Sequence, residues 1–303
     1  MKLGAHVSMG GKDKFLGSIQ EALSYDANCL MVYTGAPQNT VRLPISDLKI
    51  QEAWALMDAH QLDKTDVYVH APYIVNLANP NPDAFQFAVS FLTEELTRTA
   101  SLGSHVMILH PGNHLGTGSE AGIRQIARGI DRILDATRNL STAIAIESMS
   151  GKGTEIGRTF QELQGIIRLV EQTSRIGVCL DSCHLHDAGY AIQSDFSSVL
   201  NEFDQIIGLD RILVFHLNDS KNRQGVAKDR HQNIGFGEIG FQALRTILTH
   251  PQLEGIAKIL ETPYVPDPIN PKKSYPPYRF EIAMLKSGHF QDDLLDKIIQ
   301  AKG

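Results

Sequence analysis

A chain of 303 residues with 42% hydrophobic side chains can bury one large core, and that length fits a single (β/α)₈ domain without requiring a second. Its three cysteines cannot staple a disulfide framework or fill a four-thiolate zinc site, so the expected compartment is a reducing cytoplasm. The formal charge of −6 argues against a polyanionic partner only until bound metal is counted, because three divalent ions would cancel it and concentrate positive potential at one place.

In chain order, eight short apolar runs each stop at a polar residue, with successive stops 28 to 45 residues apart. Leu3-Gly4-Ala5 stops at His6; Met1-Lys2 leads straight into it, which predicts no signal peptide. Helical periodicity follows over 12–25, with Phe15, Leu16, Ile19 and Leu23 on one face. Cys29 to Tyr33 stops at Thr34 and precedes a helix over 47–60. Val67-Tyr68-Val69 stops at His70, and a loop over 70–82 with Tyr73, Ile74 and three prolines leads to a helix over 83–102, started by Asp83. Val106 to Leu109 stops at His110, before a helix over 119–140 started by Ser119. Ala143 to Ile146 stops at Glu147, before a helix over 159–172. Ile176 to Leu180 stops at Asp181, and Ile212 to Phe215 stops at His216. A loop over 218–240 with four glycines precedes a helix over 241–249. Ile256 to Leu260 stops at Glu261; a loop over 262–277, rich in Pro, Tyr and Lys, precedes helices over 278–286 and from Gln291. No stretch is long and apolar enough to span a bilayer.

Strand-length runs alternating with helices across 1–303 predict one domain of the α/β class, a (β/α)₈ TIM barrel. Its parallel strands all deliver their C-terminal residues to one mouth, and the three long loops (about 70–82, 218–240 and 262–277) rise around it. Six of the eight stops, His70, His110, Glu147, Asp181, His216 and Glu261, are metal-ligand types. Six exceed what one tetrahedral ion needs, so a site for more than one ion is expected at the mouth. Imidazole and carboxylate without thiolate suit zinc, manganese or iron(II), and the His-rich set leans to zinc.

A further set stands apart. His184 follows Asp181 by three residues, and Asp229-Arg230-His231 lies in the long loop after the seventh run. An extended chain repeats every two residues, so Asp229 and His231 point the same way and complete a His-His-Asp set with His184. The remaining candidates read differently. His6, His114 and His186 are expected near the mouth as substrate or supporting contacts, and His60, His105, His250 and His289 at the surface. Glu155, Asp187 and Glu238 read as solvated or capping carboxylates. Gly151-Lys152-Gly153 with Gly157 is similar to an anion-binding turn.

The same residues carry a family resemblance. Gly177 to His184, running on to Asp187-Ala188-Gly189-Tyr190, resembles a signature of the endonuclease IV family of apurinic/apyrimidinic endonucleases. So do Leu109-His110-Pro111-Gly112, His216 to Lys221, Lys228 to His231 with Ile234 to Gly240, and Leu260-Glu261-Thr262-Pro263. The match begins at Gly4-Ala5-His6-Val7-Ser8 and covers nearly the whole chain. It implies three zinc ions per chain, with manganese an alternative at some sites. By resemblance His70, His110 and Glu147 hold the first ion, Glu147, Asp181, His216 and Glu261 the second, and His184, Asp229 and His231 the third. Glu147, the bridging ligand, is the catalytic residue that places a hydroxide nucleophile.

The resemblance further implies a DNA-repair hydrolase that cuts the phosphodiester 5′ to abasic sites in duplex DNA, a zinc-dependent deoxyribonuclease acting as a monomer. It leaves 3′-hydroxyl and 5′-deoxyribose-phosphate ends. Tyr73 and Ile74 match positions that push into the helix at the lesion. Two departures are visible. Ser182 stands where Thr is usual, and Thr34 to Asn39 replaces a loop that in some members offers an Arg to DNA. Two alternatives compete: a metal-dependent sugar isomerase or epimerase on the same barrel, and a binding protein without activity. The first leaves the third ligand set and the long loops without a role; nine intact ligand positions argue against the second.

Overall fold

The computed structural model describes residues 1–302. Eight parallel strands close a barrel in sequence order: β1 (Lys2–His6), β2 (Leu30–Val32), β3 (Val67–His70), β4 (Val106–Leu109), β5 (Ala143–Glu147), β6 (Ile176–Asp181), β7 (Ile212–His216) and β8 (Ala257–Leu260). Strand β8 pairs with β1, so no sheet edge is left open.

Strand periodicity explains both the core and the site. Side chains alternate faces every residue, so whatever lies two positions before a strand-end residue shares its direction. Met31, Tyr68, Ile108, Ala145, Cys179, Val214 and Ile259 form the buried barrel interior. Residues two further on are Tyr33, His70, His110, Glu147, Asp181, His216 and Glu261, which therefore crown that interior at its mouth. The intervening residues, such as Val69, Leu109, Ile146, Leu180 and Phe215, face outward into the larger core under the helices. At Gly4 a Cβ would meet the Cys29 carbonyl oxygen at 1.8 Å, so only glycine lets β1 and β2 approach so closely.

The outer layer comprises α1 (Lys14–Ser24), α2 (Ile50–Ala59), α3 (Pro82–Ser101), α4 (Ser119–Ala136), α5 (Phe160–Leu169), α6 (Ser182–Ala188), α7 (Phe196–Ile206), α8 (Phe241–Leu248), α9 (Tyr278–Ser287) and α10 (Leu294–Ala301). Caps differ from expectation in places. Asn81, not Asp83, caps α3 by accepting from the Asp83 and Ala84 amides, with Pro82 at the first helical position. Gly118 precedes α4 without any side-chain cap, and α4 stops at Ala136 rather than Leu140. The sequence pattern assigns no helix between Asp187 and Ile212. Yet α7 is there, its Phe196, Val199, Leu200 and Phe203 buried at helical spacing and its start capped by Asp195.

The three long connections all leave the C-terminal ends of strands. Two contain their own short antiparallel pairs: Asp219–Ser220 with His231–Gln232, and Val265–Pro266 with Ser274–Tyr275. Among the described residues no helix is long and apolar enough to cross a membrane.

Candidate metal centre

The nine expected ligand residues converge on the mouth. One ligand atom from each of His70, His110 and Glu147 lies within 4.8 Å of the others, and the same holds for Glu147, Asp181, His216 and Glu261, and for His184, Asp229 and His231. Glu147 joins the first two groups because its two oxygens face different ways. Oε2 is 3.0 Å from His70 Nε2 and 3.2 Å from His110 Nε2, while Oε1 is 3.1 Å from His216 Nδ1 and 3.3 Å from His184 Nδ1. His216 Nδ1 also approaches Glu261 Oε2 at 2.9 Å. In the third group His184 Nε2 lies 3.1 Å and His231 Nε2 3.6 Å from Asp229 Oδ1.

The imidazoles are oriented from behind. His70 Nδ1–H donates to the Ala71 carbonyl at 2.6 Å, His184 Nδ1–H to Ser148 at 2.9 Å, and His231 Nδ1–H to Glu261 at 3.2 Å. Each bond fixes the tautomer that leaves an Nε2 lone pair facing the mouth. His216 is turned the other way, with Nδ1 inward.

Carboxylates are held too. Asp181 accepts from the His184 amide at 2.8 Å and from Asn218 Nδ2 at 2.7 Å, and Asn218 Oδ1 accepts from the Glu261 amide at 2.8 Å. Asn218 therefore locks Asp181, at the end of β6, to Glu261, which follows β8. The Ser182 hydroxyl donates to the Asn218 carbonyl at 2.7 Å and accepts from its amide at 2.8 Å, so the serine retains the one group that this position uses.

Four carboxylates and five imidazoles in this space need counter-charge, since a buried carboxylate is costly unless paired. Burial pushes the Glu147 carboxyl up, but His216 and His110 outweigh it and hold it well below the usual carboxylate range. Glu261 and Asp229 are depressed as well, their burial overcome chiefly by His216 and His184 respectively. Burial lowers His184 and His216, yet the surrounding acidic groups raise both well above the ordinary imidazole value. The site favours positive charge between these groups, which divalent ions would supply in place of protons. One atom bears on this directly. His231 Nε2 is buried with no hydrogen-bond partner, and it faces Asp181 and Asp229 across 3.8 and 3.6 Å. A lone pair so placed fits a cation. Cys179 and Cys183 also lie within ligand distance of Asp or Glu and His, but burial pushes the Cys179 thiol up to about 12 and raises Cys183 further, so neither offers a thiolate.

A family model described as a xylose isomerase-like TIM barrel matches residues 19–287. The chain is 54% identical to a "probable endonuclease 4" of Bacillus subtilis over 99% of both chains. It is also 54% identical to one of Latilactobacillus sakei over 100% of this chain and 99% of that one. The chain belongs to the endonuclease IV family. The solved endonuclease IV of Thermus thermophilus superimposes with a TM-score of 0.80 at 27% identity, over 95% of this chain and 98% of that chain. A D-tagatose 3-epimerase-like protein, at TM-score 0.68 and 17% identity, shares the barrel alone.

Around the centre of this endonuclease IV relative, other sequence candidates take definite places. His6 is half-buried and lines a cavity of about 600 Å³ beside the mouth, with Tyr33, Pro37 and Tyr264. Its ring sits edge-on to Tyr33, which packs in turn on His70. His114 makes no mouth contact; its Nδ1 accepts from the Gly116 and Gly118 amides and shapes its own turn. His186 is buried behind the site and donates to the Asn222 carbonyl. His60, His105 and His289 are exposed, whereas His250 packs edge-on against Phe196.

Glu238 is exposed, but Asp187 is fully buried, so of the two roles expected for it, solvated or capping, the solvated one fails while it does bind a backbone amide, that of Asp229. Glu155 closes the Gly151–Gly153 turn by accepting from the Lys152 amide. That turn aims Lys152 Nζ at Asp229 Oδ2, 3.2 Å away. In the Thr34–Asn39 segment, the Thr34 hydroxyl donates to Glu95, which also pairs with Arg42 at 2.8 Å, so this nearby arginine is committed inward.

Proposed function

We propose that the chain is a DNA-repair endonuclease that hydrolyses the phosphodiester 5′ to abasic sites in duplex DNA, leaving a 3′-hydroxyl and a 5′-deoxyribose phosphate. His70, His110 and Glu147 hold one divalent ion, Glu147, Asp181, His216 and Glu261 a second, and His184, Asp229 and His231 a third, with zinc the best match to the donor set. The observation that carries this reading is the grouping of nine side chains into three sets joined by one carboxylate. The names of the full-length relatives support the nuclease assignment.

Bound ions would supply an activated water and counter-charge for the phosphoryl oxygens. The residues themselves supply geometry and selectivity. Glu147 is fixed between four imidazoles and orients the attacking oxygen. His70, His184 and His231 are held in one tautomer by backbone carbonyls, so little reorganisation is needed when substrate arrives.

Charge distribution supports a nucleic-acid partner despite the net −6. Within the loop that carries Asp229, the residues Lys221, Arg223, Lys228 and Arg230 are all exposed, giving a basic rim for backbone phosphates. Tyr73 and Ile74 stand side by side on the β3 loop with 49% and 46% exposure, an adjacent pair suited to filling the gap at a missing base. We place the enzyme in the cytoplasm as a monomer.

A sugar isomerase or epimerase is the competing reading, supported only by the shared barrel. Nicking of a duplex with one abasic site, run beside ketose formation from aldoses, decides between them. Incision on the 5′ side of the lesion is expected; ketose formation without incision would overturn the assignment.

A further inference from the structure

The third ligand set differs from the other two because Asp229 lies in the middle of a long loop, whereas every residue of the other two ends a barrel strand or directly follows one. Its backbone lies in the left-handed region at φ 54°, as does Ala227 at φ 55°, a conformation that L-residues hold only when neighbours impose it. The neighbour that does so is Asp187, on the last turn of α6, a residue outside the nine.

Asp187 is fully buried. Its Oδ2 accepts from the Asp229 amide at 2.8 Å and from Asn222 Nδ2 at 2.8 Å, while Oδ1 accepts from the Ser220 hydroxyl at 2.7 Å. Its carbonyl accepts from the Ala227 amide at 2.9 Å. One side chain thus grips the loop where it leaves, at Ser220 and Asn222, and where it returns, at Asp229.

Helix α6 also explains the register. Asp181 caps it, His184 lies three residues on, and Asp187 three further. His184 and the anchor for Asp229 are therefore built on one rigid turn and keep a fixed separation. His231 is held at two points, by the Ser220–His231 pairing, whose Ser220 is itself gripped by Asp187, and by its separate bond to the Glu261 carbonyl.

We infer that Asp187 is a positioning residue for the third metal set, clasping the Ser220–Asp229 loop so that the Asp229 carboxylate meets His184 and His231. This rests on the trinuclear reading above. Removing the clasp frees Asp229 and loosens one of the two holds on His231, both members of the third set, but touches none of the strand-end groups, so loss of metal should be confined to one ion. The clasp also has a chemical signature. A hydroxyl can accept as well as donate, so an amide at position 187 can give its N–H to Ser220 and keep its oxygen for Asp229 and Asn222. Asparagine should therefore rescue what alanine destroys.

The test loads wild type, Asp187→Ala and Asp187→Asn with zinc and counts ions per chain by native mass spectrometry across a chelator series, with near-ultraviolet circular dichroism as the check on folding. Wild type and Asp187→Asn should hold three ions. Asp187→Ala should hold two, its third ion weakened about 10- to 100-fold. Three ions in Asp187→Ala at wild-type affinity would overturn the inference, and so would an even loss across all sites or an Asp187→Asn variant as defective as alanine. Fewer than three ions in wild type would instead overturn the trinuclear reading itself, which separates the two failures.

Discussion

The six strand-end residues and the three loop-side residues proposed as metal ligands reach the same mouth by different means. His70, Glu147, Asp181 and His216 are the last residues of barrel strands, and His110 and Glu261 come one residue after theirs. Ladder hydrogen bonds and the interior layer beneath them fix their positions. Asp229 has no ladder and is held by a carboxylate 42 residues away. Barrel geometry supplies precision at no local cost, whereas a loop ligand must be anchored by buried polar groups and brings more ordering entropy to metal binding. The two ions proposed for the strand-end groups should therefore be firmly held and the proposed third labile.

The largest expected effect comes from the residue that both strand-end groups share. Glu147→Gln keeps the shape but removes the charge, so the two groups lose their common bridge. Incision should fall by about 10³-fold or more in a nicking assay. The melting temperature should stay within about 5 °C of wild type, since the core lies below the mouth. Incision near the wild-type rate would remove Glu147 from the centre of the mechanism.

Asp229→Ala addresses the other side of the comparison. It should cost one ion of three and slow cleavage by about 10²-fold, while affinity for abasic duplex changes little. Loss of all three ions together would mean that the loop set is not separable from the strand ends.

A smaller effect is expected at the rim. Tyr73→Ala should weaken binding to abasic duplex by about 10-fold with metal content unchanged, and undamaged duplex should be affected less. Equal weakening on both duplexes, measured by fluorescence anisotropy, would reduce Tyr73 to a general backbone contact.

The smallest effect concerns loop anchoring. Glu281, fully buried on α9, accepts from the Ile234 amide at 2.9 Å and Asn233 Nδ2 at 3.1 Å, and bonds the Thr262 hydroxyl, tying the β7 and β8 loops together. Burial pushes its carboxyl from 4.5 up to about 7. The native state thus prefers the protonated form, and the stabilisation present below pH about 4.5 fades as pH rises to about 7, by ~3 kcal/mol. Glu281→Gln should remove that part of the pH dependence, so its stability relative to wild type should increase between about pH 5 and 8 in urea titrations. A constant difference across that range would contradict it.

The same contrast governs what the sequence makes legible. Strand-end ligands announce themselves, because an apolar run of strand length that stops at His, Asp or Glu defines both the strand and the side chain at its tip. The (β/α)₈ order follows from eight apolar runs, seven with such a stop and one that stops at Thr34. Asp187, Asp219 and Glu281 give no such signal: a carboxylate in a polar loop or on a helix looks solvated until the fold wraps donors around it. Asp219, for instance, is buried beneath the Gly235, Gly237, Ile239 and Gly240 amides, contacts made only once that loop closes. Asn218 is within reach of sequence reasoning, being two residues beyond His216 in a matched motif. Helix α7 is equally within reach, since Asp195 followed by Phe196, Val199, Leu200 and Phe203 is a cap before a helical stripe. Its signal is masked by the two motif-rich segments on either side.

The most direct measurement is the stepwise removal of metal from the wild-type protein, followed by native mass spectrometry as chelator is raised. Three divalent ions per chain are expected, one leaving first to give a stable two-ion species, and the other two leaving only at higher chelator. A chain that holds one ion or none while still incising abasic DNA, or that releases all three in a single step, would contradict the division between strand-end and loop-side metal.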